Sequence, residues 1–150
     1  LIGLTYEEQA KQMIEARDWL RSHRLNRGSD IVVFPGGEFD QDTLRVLSDQ
    51  GFVAGRSLKS LWTVQAGCSL ESVEVYNILP GLSFEYIKAA IDKAIRNHST
   101  LLVVIHKLEP VTDDQHMQVA PEDFAHIVDY VHECEGELTV VTVSQLLSDI

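Results

Sequence analysis

Apolar and polar residues follow one another along this chain in a rhythm that predicts helices and strands in turn. Thr5 and Glu8 have the spacing of a capping box, and apolar residues at helical spacing continue from there to Leu20. Short apolar runs that stop at glycine, proline or polar residues predict five strands, namely Ile31–Phe34, Phe52–Gly55, Val73–Ile78, Leu101–Ile105 and Leu138–Thr142. Residues that favour helix starts predict four more helices, capped by Asp40 or Asp42, by Ser83 and by Ser144, or opened by Pro121.

The mostly alternating order of strands and helices predicts an α/β fold, with residues 1–150 forming a single domain. Leu101–Ile105 is apolar throughout, which is typical of a parallel strand covered on both faces. Residues 56–72 show no periodicity and are predicted to form a loop long enough to be functional. A parallel sheet with outer helices can be doubly wound or a barrel, and in both cases ligands bind beyond the carboxyl ends of the strands.

Composition narrows the classes of function. The chain has 150 residues, 45% of them hydrophobic, and a formal net charge of −11, so its average field repels nucleic acid and anionic lipid. The longest apolar run is too short for a membrane-spanning helix. Cys68 and Cys134 lie far apart and outside any Cys/His cluster, which argues against a disulfide scaffold and a structural zinc module, so both are expected to be small buried residues.

Three features fall at predicted strand ends or in the long loop, where chemistry is expected. His106 follows the run Leu101–Ile105 and is either a general acid or base or a structural histidine bonded to a carbonyl. Pro35-Gly36-Gly37 follows the first strand, and its glycines either serve only the turn or leave a backbone N–H available to an oxyanion. Trp62 either stacks on a sugar or covers the core.

The remaining histidines and acidic residues are weaker candidates. Asp113, Asp114 and His116 could contact a divalent metal, but they lack ordered ligand spacing and favour a solvated loop. His126 and His132 do not share a helix face as a ligand pair would, so both are interpreted as surface residues.

The order and spacing of several segments cover nearly the whole chain. The segments are Leu4–Glu8, Val33–Phe39, Leu47–Phe52, Leu101–His106, Phe124–Tyr130, Leu138–Val143 and Leu146-Leu147. Together they resemble the C-terminal part of the polysaccharide deacetylase (NodB-homology) family. The resemblance implies a partial (β/α) barrel of that type, with about five mostly parallel strands and outer helices.

The same resemblance implies a metal-dependent hydrolase of carbohydrate metabolism that removes acetyl groups from N-acetylated amino sugars in a polysaccharide by hydrolysing an amide C–N bond. Carried over by position, the Gly36 amide would bind the oxyanion and His106 would protonate the leaving amine. Pro35 and Gly37 would shape the turn against the substrate, and Trp62 is the remaining candidate for substrate binding.

The family's first two motifs, which supply the general base and the metal ligands, would precede Leu1. The resemblance therefore implies a divalent metal, with zinc expected, in the complete protein and none bound by this chain alone. We expect catalysis only together with the missing N-terminal segment, and we expect that segment or a second copy of the chain to cover the open barrel. Val33 stands where many members have arginine, and Gly36 replaces an aromatic residue.

Two rival interpretations stay open. The chain could be a non-catalytic carbohydrate-binding or assembly domain that has kept the deacetylase fold, as Val33, Gly36 and the absent ligand motifs favour. It could also be an unrelated α/β enzyme whose similarity reflects a shared βα rhythm. Localisation in the cell envelope or outside the cell is suggested by the family resemblance alone.

Overall fold

The computed structural model describes residues 1–70, 73–79, 83–110 and 118–148. Its helices are α1 (Tyr6–Ser22), α2 (Gln41–Asp49), α3 (Phe84–Asn97), α4 (Pro121–Glu133) and α5 (Val143–Ser148), and a 3-10 turn spans Pro35–Gly37. Its strands are β1 (Ile31–Val33), β2 (Ala54–Arg56), β3 (Leu61–Thr63), β4 (Cys68–Ser69), β5 (Val73–Asn77), β6 (Thr100–Val104), β7 (Lys107–Leu108) and β8 (Gln118–Val119).

The chain divides into two compact units. The first comprises residues 1–71 and 141–150, and the second comprises residues 72–140. Helices and short sheets that contain parallel pairs occur in the chain, which agrees with the predicted α/β class. The strands in the described ranges form three separate sheets and do not close into a barrel.

The first unit contains a four-stranded sheet in the order β1-β2-β3-β4. β1 and β2 are parallel, with Val33 opposite Arg56, whereas β2, β3 and β4 are antiparallel neighbours. The prediction of an irregular loop over residues 56–72 is therefore wrong. β3 is only three residues long, and such a strand is too short to show a period in the sequence.

One face of this sheet is covered by α1 and α2. The core residues are Ala10, Met13, Phe34, Val46, Leu47 and Phe52, and Trp62 packs against them. Phe34 is only 2% exposed, because its ring lies against the backbone of Gly55, where a Cβ atom would come within 2.1 Å of the ring. The Phe34 ring can therefore pack against β2 because Gly55 has no side chain.

The starts of α1 and α2 follow the predicted capping. The Thr5 N–H donates to Glu8 Oε2 at 2.8 Å and the Glu8 N–H donates to Thr5 Oγ1 at 3.3 Å, so the capping box is confirmed. Of the two predicted caps for α2, Asp40 is the cap, and its carboxylate accepts the Thr43 N–H at 2.8 Å. The fully buried Gln9 and Thr43 side chains join this cap through a hydrogen bond of 2.6 Å.

The second unit is built on the parallel pair β5 and β6. Its core contains Ile78, Ile87, Ile91, Val119 and Ile127, and α3 and α4 supply three of these residues. Lys88 and Asp92 of α3 both bond the hydroxyl of Tyr130 in α4, which links the two helices. The hydroxyl accepts from Lys88 at 3.0 Å and donates to Asp92.

Burial in the second unit departs from the predicted pattern at particular side chains. Val128 on α4 is apolar but 48% exposed, and Phe124 is only half-buried against the core. Val103 in β6 is 37% exposed, so the expected cover on both faces of this strand is not complete. A run of apolar residues identifies the strand but not how much of each face is covered.

The predicted fifth strand, Leu138–Thr142, is also wrong. This stretch has no strand assignment in the structure, and Val140 is 76% exposed. Its β-branched residues favour an extended backbone, but a strand also needs a hydrogen-bonded neighbour. α5 begins at Val143 rather than after Ser144, because the Thr142 hydroxyl accepts the Gln145 N–H.

The second unit also contains the short parallel pair β7 and β8, in which Lys107 lies opposite Gln118 and Leu108 lies opposite Val119. Among the described helices, none is long and apolar enough to cross a membrane.

Candidate functional site

The turn Pro35–Gly37 lies directly beyond the carboxyl end of β1. The Gly37 N–H donates to Phe34 O at 2.8 Å and the Glu38 N–H donates to Pro35 O at 3.4 Å. These bonds close the turn with the amides of Gly37 and Glu38 and leave the amide of Gly36 outside them. Gly36 is exposed and has φ 65° and ψ 2°, a left-handed conformation that glycine adopts without strain.

The two glycines of the turn have different steric surroundings. A Cβ atom on Gly37 would lie 2.3 Å from Leu58 Cγ and 2.8 Å from the Leu58 nitrogen, so the turn packs closely against the connection between β2 and β3. A Cβ atom on Gly36 would have nothing within 4 Å. Gly37 is therefore needed for close packing, whereas the side of Gly36 on which a Cβ atom would lie is open.

Arg56 stands beside the turn at the carboxyl end of β2. It lies opposite Val33, and its carbonyl oxygen accepts the Phe34 N–H at 3.0 Å, which ties the start of the turn to β2. The guanidinium is half-buried, and this burial lowers the pKa of Arg56 below its ordinary value. Sequence reasoning missed this residue, although a lone cation that directly ends a predicted strand was a usable signal.

The connection that follows Arg56 is held in a tight turn. The Ser57 hydroxyl accepts the N–H groups of Lys59 at 3.1 Å and Ser60 at 3.0 Å. Ser57 is 7% exposed, while Lys59 is exposed. The tight turn places a second positive charge on the surface three residues after Arg56.

His106 follows β6 and is exposed, as expected for a residue at the carboxyl end of a strand. It belongs to the second unit, whereas the glycine turn belongs to the first. The structure thus brings together Pro35, Gly36, Gly37 and Arg56 within one unit, and it places the predicted general acid in the other.

Trp62 lies in the middle of β3, opposite Gly55. Its half-buried side chain packs against the core between the sheet and the helices α1 and α2. This is the position described by the structural alternative, a cover over the core. The role of Trp62 in substrate binding stays a prediction.

Several other candidates have simple outcomes. His126 and His132 are exposed, as predicted for surface histidines, and Cys134 is buried as a free thiol. Asp113, Asp114 and His116 lie outside the described residues. Across the part of the chain that the structure describes, no group of three or more His, Cys, Asp or Glu side chains could hold a metal ion.

A cavity of about 520 Å³ opens at the amino ends of β1 and β2, opposite the end where the glycine turn lies. It is lined by residues that precede β1 and β2 or follow β3, including Asp30, Val53 and Gln65, and by Leu147 of α5. The Asp30 carboxylate is already paired with Arg21 at 2.6 Å. Because ligands in α/β proteins bind at the carboxyl ends of parallel strands, we place the candidate site at the glycine turn.

Comparisons of this chain with protein-family models, curated proteins and solved structures found no match. The candidate site therefore stands on the residues and geometry described above.

Proposed function

We propose that the chain is the C-terminal portion of a metal-dependent hydrolase that removes acetyl groups from N-acetylated amino sugars in a polysaccharide. The observation that carries the proposal is the turn Pro35–Gly37, which presents the Gly36 amide at the carboxyl end of β1. The proposal also draws on the ordered motifs that resemble the polysaccharide deacetylase family.

In this proposal the Gly36 N–H stabilises the reaction intermediate. Attack on the carbonyl of an acetyl group makes a tetrahedral species whose oxygen carries negative charge, and a fixed backbone N–H binds that charge better than the neutral carbonyl of the substrate. The amide requires no particular side chain, which is consistent with glycine at this position. The side of Gly36 on which a Cβ atom would lie is open, with nothing within 4 Å of that position, which is consistent with the approach of a sugar from that side.

His106 has the second role. As a general acid it donates a proton to the amine nitrogen as the C–N bond breaks, because an amine leaves far more readily when protonated. Its exposure beyond β6 is compatible with contact to a polymeric substrate.

The described residues do not fit the metal that the resemblance implies, because they include no suitable ligand group. We therefore propose that the ligands and the general base come from outside these residues. When bound, such an ion would polarise the acetyl carbonyl and activate water.

The experiment is acetate release from chitin oligomers by the full natural chain that contains this sequence, together with its content of Zn²⁺, Co²⁺ and Ni²⁺ by mass spectrometry. We expect stoichiometric metal and release of acetate. A full chain that binds none of these metals and releases no acetate would overturn the enzyme proposal, and retained binding of the oligomers would then favour the non-catalytic carbohydrate-binding alternative.

The role of His106 is tested by His106→Ala in the same chain. Loss of a general acid should lower kcat by about 10² to 10⁴-fold while metal content stays unchanged. His132→Ala is the matched control, because His132 is also exposed but lies at the end of α4, and it should keep full activity. Equal kcat in the two variants would remove His106 from the mechanism.

A further inference from the structure

Among the described residues, Arg56 is a half-buried cation without an acidic partner. In the described part of the chain no carboxylate lies within ion-pair distance of it, and its guanidinium donates only to the neighbouring Ser57 carbonyl oxygen, at 3.4 Å. Arg21 and Arg45 of the first unit each pair with an aspartate within 3.0 Å. Arg24 and Arg27 have no such pair among the described residues, but both are exposed to water. Arg56 therefore differs from these four arginines in being half-buried with donors left for another acceptor.

Arg56 is held between two neighbouring strands of the sheet. Arg56 lies opposite Val33 on one side and Leu61 on the other, so its side chain projects from the same face of the sheet as theirs. Leu61 is fully buried and Val33 is 55% exposed, so the guanidinium stands at the boundary between core and solvent.

A partly desolvated charge with no counter-charge is unfavourable, and an anion that joins it recovers part of the lost solvation. The local field supports such an anion, because Lys59 contributes a second positive charge from the next turn. The chain as a whole carries −11, but salt at physiological strength screens distant charges over about 8 Å. The nearby exposed acid, Glu38, is not paired with Arg56.

We propose that Arg56 binds a carboxylate group at the carboxyl edge of β1 and β2, beside the glycine turn. A guanidinium presents parallel N–H donors that match the two oxygens of a carboxylate. The source of the carboxylate is an external acidic sugar such as a uronic acid. The proposal does not depend on deacetylase activity, so it can fail or succeed independently of it.

The first test measures the Nε–Hε signal of Arg56 by nuclear magnetic resonance while the chain of 150 residues is titrated with sodium glucuronate. We expect saturable binding in the millimolar range that weakens with added salt. Arg56→Gln should weaken binding about tenfold or more, and Arg56→Lys should retain part of it. Arg45→Gln, which removes an exposed arginine of α2, is the matched control and should bind normally.

The second test repeats the titration with the full natural chain. A saturable shift there identifies the ligand as an external acidic sugar. If glucuronate does not move the signal there, and Arg56→Gln lowers the thermal midpoint more than Arg45→Gln does, the carboxylate belongs to the protein and the proposal of an external acidic sugar is overturned.

Two further results would overturn the proposal. One is a titration of the 150-residue chain in which Arg56→Gln and the unchanged chain bind glucuronate equally. The other is tighter binding of inorganic phosphate than of glucuronate at Arg56, since that would show that the site selects a different anion. Circular dichroism of Arg56→Gln, compared with Arg56→Lys, verifies that any loss of binding comes from a folded variant.

Discussion

Gly55→Ala tests the packing that positions the candidate site. The added Cβ would lie 2.1 Å from Phe34 Cζ and 2.8 Å and 2.9 Å from two further ring carbons, whereas ordinary contacts begin at 3.4 Å. The ring must therefore move by more than 1 Å at its tip to restore normal contact. Phe34 is 2% exposed and packs against Phe39 at a ring distance of 4.9 Å, so little space is available for that movement.

We expect Gly55→Ala to destabilise the first unit by about 2 kcal/mol, within the range of about 1 to 3 kcal/mol for overpacked cores. Gly55 has no left-handed backbone, so strain at its own φ does not contribute. Both tryptophans, Trp19 and Trp62, belong to the first unit, and urea unfolding followed by tryptophan fluorescence therefore reports on that unit.

A second substitution separates the contact with Phe34 from other effects. Phe34→Leu removes ring atoms, so the cost of Gly55→Ala should be smaller in the Phe34→Leu background than in the unchanged chain. Gly136→Ala is the control, because a Cβ atom at Gly136 would have nothing within 4 Å. Its free energy of unfolding, followed by circular dichroism, should differ from that of the unchanged chain by no more than about 0.5 kcal/mol. A Gly55→Ala variant as stable as the unchanged chain, or an equal cost in both backgrounds, would refute this account of Phe34.

Two further predictions concern other parts of the chain. The Thr43 N–H, then the Gln9 side chain, lowers the pKa of Asp40 below 3.8, so the stabilisation is fully present above that value and is lost as the pH falls through the lowered pKa. The free energy of unfolding in urea should therefore fall less between pH 5 and about pH 2 in Asp40→Asn than in the unchanged chain. An equal fall in both proteins would exclude Asp40 as a cause of the acid sensitivity. Phe124→Ala should lower the stability of the second unit by about 2 kcal/mol, less than the 3 to 5 kcal/mol typical of a fully buried phenylalanine, because Phe124 is only half-buried. A thermal midpoint equal to that of the unchanged chain would show that Phe124 makes no packing contribution.

Local signals predicted the helices best. The capping box at Thr5 and Glu8 and the cap at Asp40 depend on bonds between residues three apart, which sequence spacing reveals directly. β1, β5 and β6 were also found from apolar runs. The helix starts and these three strands follow from short-range chemistry.

The errors involve partners that are distant in sequence. Leu138–Thr142 has the composition of a strand but no ladder partner, whereas Leu61–Thr63 is a strand because Ala54–Arg56 lies beside it. Nothing within either segment distinguishes these cases. Arg56 had a local signal, as the cation that directly follows a predicted strand, but its importance depends on Val33 across the sheet and on the turn beyond it.

At the candidate site, sequence reasoning identified the Pro35–Gly37 turn and the exposed position of His106. It could not assign different steric roles to the two glycines. That distinction depends on Leu58, which contacts the Cβ position of Gly37 and not that of Gly36.

The position of β1 at the edge of its sheet affects the tendency of the chain to self-associate. Within the described residues β1 has a partner on one side only, so its other side presents backbone N–H and C=O groups that could pair with another chain. That edge is only three residues long, and the net charge of −11 makes copies of the chain repel one another. A short edge and a strong negative charge therefore both limit self-association, and high salt weakens only the second of these protections.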